Sequence, residues 1–227
     1  MALGDLLIDG LGITPPSLVS LVGGGGKTTL MHALFDAGTA RGWRCGAGTT
    51  TKVYAHQADG LPGFLHSATA DEKLIGVSPE FVDEWFDHEQ PDLLVIEADG
   101  SRGRRVKAPS TDEPPIPGRS TLVIAVIGAD SIDRVIEDVA HRPMRVAAVC
   151  GCGPYGRLTP ERAALLLASE RGSRKNVPVT ARFAVAITRI GPRQRVLAIE
   201  LSGLLAAQAI PTVLLYSLDE PRGEPIN

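Results

Sequence analysis

The segment Leu18-Val19-Ser20-Leu21-Val22-Gly23-Gly24-Gly25-Gly26-Lys27-Thr28-Thr29-Leu30 constrains the fold more than any other part of the chain. An apolar run enters four consecutive glycines, and Lys-Thr-Thr then opens a helical pattern. This is the strand–loop–helix setting of a phosphate-binding P-loop. Glycines let backbone N–H groups converge on phosphate oxygens without side-chain obstruction. The helix N-terminus adds its free amides and its dipole. On this reading Gly23, Gly24, Gly25, Gly26 and Thr29 cradle phosphate, Lys27 reaches the β- and γ-phosphates, and the Thr28 hydroxyl holds Mg²⁺. The common spacing G-x-x-x-x-G-K-S/T is not met in full. Leu21 stands where its first glycine belongs, and Val22 where some loops carry a second lysine.

The rest of the chain extends this pattern. Short runs rich in Val, Ile and Leu at 18–22, 45–49, 93–96, 122–127, 183–187 and 212–216 alternate with helical patterns at 28–40, 79–86, 131–139, 160–169 and 196–209. Several runs are apolar at consecutive positions, as strands buried on both faces of a parallel sheet are. The expected fold is therefore α/β, a mainly parallel twisted sheet flanked by helices, of the P-loop nucleoside triphosphatase type. It is expected as one domain over residues 1–220 with a flexible tail at 221–227. Thr159-Pro160-Glu161 supplies a cap, a first-turn proline and an acidic residue for a helix start. Residues 55–78 show no strong period, and the proline-rich stretch 98–120 reads as one long loop, of a length that is often functional.

A P-loop calls for an acidic strand end nearby, and Asp92-Leu93-Leu94-Val95-Ile96-Glu97-Ala98-Asp99-Gly100 supplies one. Glu97 and Gly100 have the spacing of an acidic residue and a γ-phosphate-sensing glycine. Either Glu97 or Asp99 would organise Mg²⁺ and polarise an attacking water; an ordinary Asp-Gly turn is the plainer explanation. Thr49-Thr50-Thr51-Lys52 ends the second strand, where hydroxyls face a nucleotide crevice. Thr50 or Thr51 would touch Mg²⁺ or the γ-phosphate, although threonine also simply favours strands. The loop Ser101-Arg102-Gly103-Arg104-Arg105-Val106-Lys107 gathers four positive charges. Arg102 and Lys107 would clamp an anionic substrate or offset charge on a transferring phosphoryl group; a solvated basic loop is the alternative. Cys150-Gly151-Cys152 offers soft ligands for a metal or selenium, but two cysteines do not close a tetrahedral site without His141 or a second subunit. His141-Arg142 either touches substrate or caps the preceding helix.

Charge and composition exclude other classes. The 227 residues hold 23 Lys and Arg against 26 Asp and Glu, a net charge of -3. A nucleic-acid binder usually shows a basic surplus, so no nucleic acid is expected as a partner. No apolar run approaches the roughly 18 to 20 residues of a membrane span. No basic leader precedes an apolar segment, and three sparse cysteines do not make a disulfide framework. A cytoplasmic protein away from membranes is the expectation.

Ser20–Leu30, Thr49-Thr50-Thr51-Lys52 and Ile96-Glu97-Ala98-Asp99-Gly100-Ser101-Arg102 together resemble the selenium-dependent molybdenum hydroxylase accessory proteins of YqeC type. The resemblance continues through Lys107-Ala108-Pro109, Glu113-Pro114, Val126-Ile127-Gly128-Ala129-Asp130 and His141-Arg142, from about residue 17 to 170. It implies a P-loop protein, with Mg²⁺ and ATP or GTP, acting in the maturation of a molybdenum hydroxylase or its molybdopterin-type cofactor. Where G-proteins place Asn-Lys-x-Asp, this chain reads Ile187-Thr188-Arg189-Ile190. Nothing there pairs with guanine, so ATP and GTP both stay open; Ser217-Leu218 would back the base through main-chain amides. Three activities are open: hydrolysis that gates a delivery step, a small-molecule kinase or nucleotidyl transferase acting on an anionic cofactor precursor, and a non-catalytic nucleotide-binding carrier.

Overall fold

The computed structural model describes residues 2–216. The helices are α1 (Leu3–Leu11), α2 (Lys27–Ala40), α3 (Pro79–Glu89), α4 (Ile136–Val139), α5 (Pro143–Val149), α6 (Pro160–Ala168) and α7 (Arg195–Ala206). The strands are β1 (Ser17–Gly23), β2 (Cys45–Thr49), β3 (Lys52–Tyr54), β4 (Ala68–Ala70), β5 (Lys73–Ile75), β6 (Leu93–Glu97), β7 (Val106–Lys107), β8 (Leu122–Gly128), β9 (Ala140–His141), β10 (Arg182–Ile190) and β11 (Thr212–Tyr216).

Six strands form one parallel sheet in the order β11-β10-β8-β1-β6-β2. Two-sided burial explains why its strands read as continuous apolar runs. Leu18, Val22, Leu94, Ile96, Val123 and Ile127 enter one core with residues of α3, α5, α6 and α7. Their neighbours Val19, Leu21, Val95, Ile124 and Val126 enter the opposite core with α1 and α2. The chain leaves β1 toward β2 on one side and leaves β8 toward β10 on the other. The carboxyl ends of β1 and β8 thus flank a switch point, where open α/β sheets bind ligands. The Gly24 amide donates to the Val126 carbonyl at 2.9 Å across that point.

All six expected strands are present, and α6 starts as its sequence indicates: Thr159 Oγ1 accepts from the Arg162 amide, and Pro160 opens the helix. Five features depart from the sequence reading, the first being α5 at Pro143–Val149, where no helix was expected. α1 occupies a stretch whose two glycines disguise a helical face of Gly4, Leu7, Ile8 and Leu11. The helix expected at 131–139 shrinks to α4, because Asp133 adopts a left-handed φ of 57° after a 3-10 turn at Ala129–Ser131. Residues 52–75 hold a small antiparallel sheet of order β3-β5-β4 with strands of three residues each, too short to show a period. β7 pairs in parallel with β9 and sets Lys107 opposite His141. The expected tail at 221–227 and the Ser217-Leu218 segment lie outside the described residues.

α1 backs α2, the helix whose first turn carries Lys27, and the two approach closely at Gly4. A Cβ there would collide with the Ala33 carbonyl and sit 2.6 Å from the Ala37 Cβ. Gly4→Ala should lower the free energy of unfolding by about 1–3 kcal/mol, the usual cost of overpacking. Gly10→Ala, whose Cβ would meet only Val213 at 3.6 Å, should raise it by about 0.5 kcal/mol through helix propensity. Urea titrations of both variants check the opposite signs.

Candidate nucleotide site

β1 runs as far as Gly23 and α2 starts at Lys27, so Gly24, Gly25 and Gly26 alone make the turn. Leu21 is therefore not a loop residue. It lies fully buried in β1, opposite Glu97 on one side and Ile124 on the other. The loop is shorter than the common spacing, which is why that spacing lacks its first glycine. Gly26 has φ 131°, which only glycine adopts without strain. A Cβ on Gly24 would stand 2.5 Å from the Arg104 carbonyl oxygen, and one on Gly25 2.5 Å from the Gly128 amide nitrogen. Thr188, at the end of β10, donates to the Gly25 carbonyl at 2.6 Å. No motif in the sequence singled out this clamp.

The first turn of α2 and the end of β6 meet in one cluster. Lys27 is buried, with Nζ donating to the Gly23 carbonyl at 2.8 Å and lying 3.5 Å from Glu97 Oε1. The Thr28 hydroxyl donates to Glu97 Oε2 at 2.9 Å and accepts from the Gln57 amide at 2.8 Å. A hydroxyl and a carboxylate so close suit Mg²⁺, which takes one or two protein oxygens and completes its shell with phosphate and water. Among the described residues no group of three or more His, Cys, Asp and Glu forms an all-protein metal cage. Thr28 and Glu97 thus fit the ion expected beside a bound triphosphate. Gln57, on the 3-10 turn Ala55–Ala58, joins them from the small antiparallel sheet.

These groups open on a cleft of about 1180 Å³. Gly25, Gly26, Lys27, Thr28, Thr29, Thr50, Thr51, Glu97 and Arg102 all line it, as do Gly100, Gln57, Glu113, His141, Arg142 and Arg189. Gly23, Gly24, Asp99 and Lys107 do not. The buried Asp99 accepts from the Gly23 amide at 3.1 Å and is ion-paired with Lys107. Lys107 also donates to the Gly100 carbonyl at 2.7 Å and reaches Glu113 Oε2 at 2.8 Å. The structure thus separates the two carboxylates that the sequence left as alternatives. Glu97 faces the cleft, while Asp99 and Lys107 brace the loop from behind. Thr50 donates its hydroxyl to the Pro115 carbonyl at 2.7 Å, tying the proline-rich loop to the cleft wall.

Burial pushes the Asp99 carboxyl above its ordinary range, against the pull of Lys107 and Lys27. Burial alone would also raise Glu113. Hydrogen bonds from Arg142 and Lys107 outweigh it and hold that carboxyl well below the usual carboxylate range. His141 is lowered to about 4 by partial burial and by the charges of Lys107, Arg142 and Arg102, so the ring is neutral at pH 7. The Cys150 thiol is pushed up to about 12, chiefly by burial, which leaves it protonated and a poor metal ligand. The depressed Glu113 stabilises the fold above the carboxylate's unfolded value and loses that contribution as pH falls. Glu113→Gln should cost about 1–2 kcal/mol at pH 7 after solvent screening at its exposed edge. The gap from the unsubstituted chain should close as pH drops below about 4, which urea titrations over a pH series check.

Comparison with known proteins places the chain in a family. The model of the family described as "YqeC protein" matches residues 19–144, from the middle of β1 through the start of α5. "Uncharacterized protein YqeC" of Escherichia coli (strain K12) is 31% identical over 204 residues, covering 81% of this chain and 80% of that protein. The matched span contains the glycine loop, Glu97, the 99–107 segment, Glu113 and His141-Arg142 together, and the chain belongs to the YqeC family.

Proposed function

We propose that this chain binds a Mg²⁺-nucleoside triphosphate, ATP or GTP, and hydrolyses it during maturation of a molybdenum hydroxylase or its cofactor. The observation that carries the nucleotide reading is the Lys27–Thr28–Glu97 cluster, held at the mouth of a glycine turn on the sheet's switch point. The client class rests on the sequence likeness to molybdenum hydroxylase accessory proteins.

Each residue has a role that follows from its contacts. The amides of Gly25, Gly26 and the first turn of α2 meet the phosphates, where the helix dipole favours negative charge. Lys27 exchanges the Gly23 carbonyl for the β- and γ-phosphate oxygens. Glu97 orients the Thr28 hydroxyl, and the two would hold Mg²⁺ directly or through water. Bound Mg²⁺ would neutralise charge on the β- and γ-oxygens. Thr188 fixes the Gly25 carbonyl and so the shape of the turn. The cleft continues past Glu97 to Arg102, His141 and Arg142, which favours transfer of the phosphoryl group to a small acceptor as the second reading.

Isothermal titration with non-hydrolysable ATP and GTP analogues should show binding that requires Mg²⁺. Lys27→Ala should weaken it about 10- to 100-fold, the worth of one strong charge-assisted contact. Thr28→Ala should blunt its Mg²⁺ dependence. Absence of Mg²⁺-dependent binding, or affinity unaltered in Lys27→Ala, overturns the reading. Glu97→Gln should slow turnover by about 100-fold or more while leaving nucleotide bound. With γ-labelled nucleotide, free phosphate indicates hydrolysis and a labelled organic product indicates transfer. Bound nucleotide with no turnover, even beside a molybdenum hydroxylase, indicates a carrier.

A further inference from the structure

The cleft holds more positive charge than a nucleotide neutralises. Eight Lys and Arg side chains line it against only Glu97 and Glu113, in a chain of net charge -3. Asp130 pairs with Arg105 at 2.9 Å and cancels one of the eight, which leaves a surplus of about five. A triphosphate brings roughly four negative charges and Mg²⁺ returns roughly two. About three positive charges stay unmatched in a recess whose walls focus the field on anions.

Three neighbouring residues on the wall beyond Glu97 are suited to take up that remainder. Arg104 is tied to the Asp138 carbonyl, and Arg105 to Asp130 and the Gly103 carbonyl. Arg102 has no hydrogen-bond or ion-pair partner among the described residues. Arg142 is gripped by both Glu113 oxygens, with Nη2 3.0 Å from Oε1. Glu113 is itself 2.8 Å from Lys107, so the guanidinium is held before any ligand arrives. His141 is fixed by the pairing of β9 with β7 and presents a neutral imidazole among these cations.

We propose that Arg102, His141 and Arg142 form a second anion subsite, beyond the γ-phosphate end of the nucleotide, for a small molecule bearing a phosphate monoester. The charge count rests on the nucleotide reading, whereas the three residues lie outside the glycine loop. Two planar guanidinium forks and an imidazole N–H match a tetrahedral oxyanion with several acceptor oxygens. A phosphate monoester carries nearly two negative charges near neutral pH, closer to the unmatched charge than a carboxylate. A continuous path of contacts joins this subsite to the glycine loop, from Arg142 through Glu113, Lys107 and Asp99 to the Gly23 amide.

His141 reports on the subsite directly. It lines the cleft opposite Lys107 in the β7–β9 pairing, within reach of the charges of Arg142, Arg102 and Glu113, and a bound anion among them favours the protonated form. The test follows the His141 ring resonances of a Lys27→Met chain by NMR while inorganic phosphate is added without nucleotide. The expected result is a saturable response, with the His141 pKa raised by about one unit or more. Adding Arg102→Gln should weaken the phosphate response about tenfold. The same titration on the unsubstituted chain, saturated with non-hydrolysable Mg²⁺-nucleotide, repeats the test should Lys27→Met fail to fold. A His141 titration unmoved by phosphate, or a response unaffected by Arg102→Gln, overturns the proposal. Calorimetry on the unsubstituted chain tests the nucleotide reading separately, so failure of one is distinguishable from failure of the other.

Discussion

The mouth of the sheet depends on a buried ion pair between Lys107 and Asp99. Both side chains are almost fully withdrawn from water, and removing two such charges from solvent costs several kcal/mol each unless every hydrogen bond is satisfied. Here they are. The Lys107 ammonium has three protons and three acceptors, Asp99, the Gly100 carbonyl and Glu113. Asp99 gives its other oxygen to the Gly23 amide. The pair thereby fixes where β6 ends relative to β1, and brings the 104–106 backbone against Gly24 and Gly25.

The remaining site follows from that placement. With the 99–107 segment held behind the glycine turn, Glu97 is left as the carboxylate that meets Thr28. Residues 100–105 then pass along the cleft, and the β7–β9 pairing brings His141-Arg142 to the same wall from more than thirty residues later in the chain. Glu113 ties the two walls together by accepting from both Lys107 and Arg142. One side of the cleft is thus a glycine turn built from backbone and the other a cationic wall built from side chains.

Much of the fold was legible because its signals are local. A strand buried on both faces is apolar along most of its length, and residues 122–128 or 93–96 admit little else. The turn needs glycine, and four in succession mark it. α1 was hidden because Gly4 and Gly10 lower helix propensity, while Gly4 is there to admit the backbone of α2. The small β3-β5-β4 sheet has strands too short for any period to register. In the site, Lys27, Thr28, Glu97, Thr50, Thr51 and Arg102 were legible and do line the cleft. Gln57, Thr188 and Arg189 were not, since a single polar residue at a strand end or on a turn carries no spacing to detect.

Local sequence is enough to specify the glycine turn, the Lys-Thr start of α2 and an acidic end to a neighbouring strand. Each depends on residues within about ten positions of one another and on backbone geometry that only certain residues adopt. Which carboxylate faces the cleft is settled by long-range packing. Glu97 and Asp99 are two residues apart and chemically alike, and what separates them is Lys107, a buried partner that draws Asp99 behind the turn. The same packing decides that Glu113 and Arg142 belong to the same cleft, because electrostatic pairing acts through space and leaves no period in the chain.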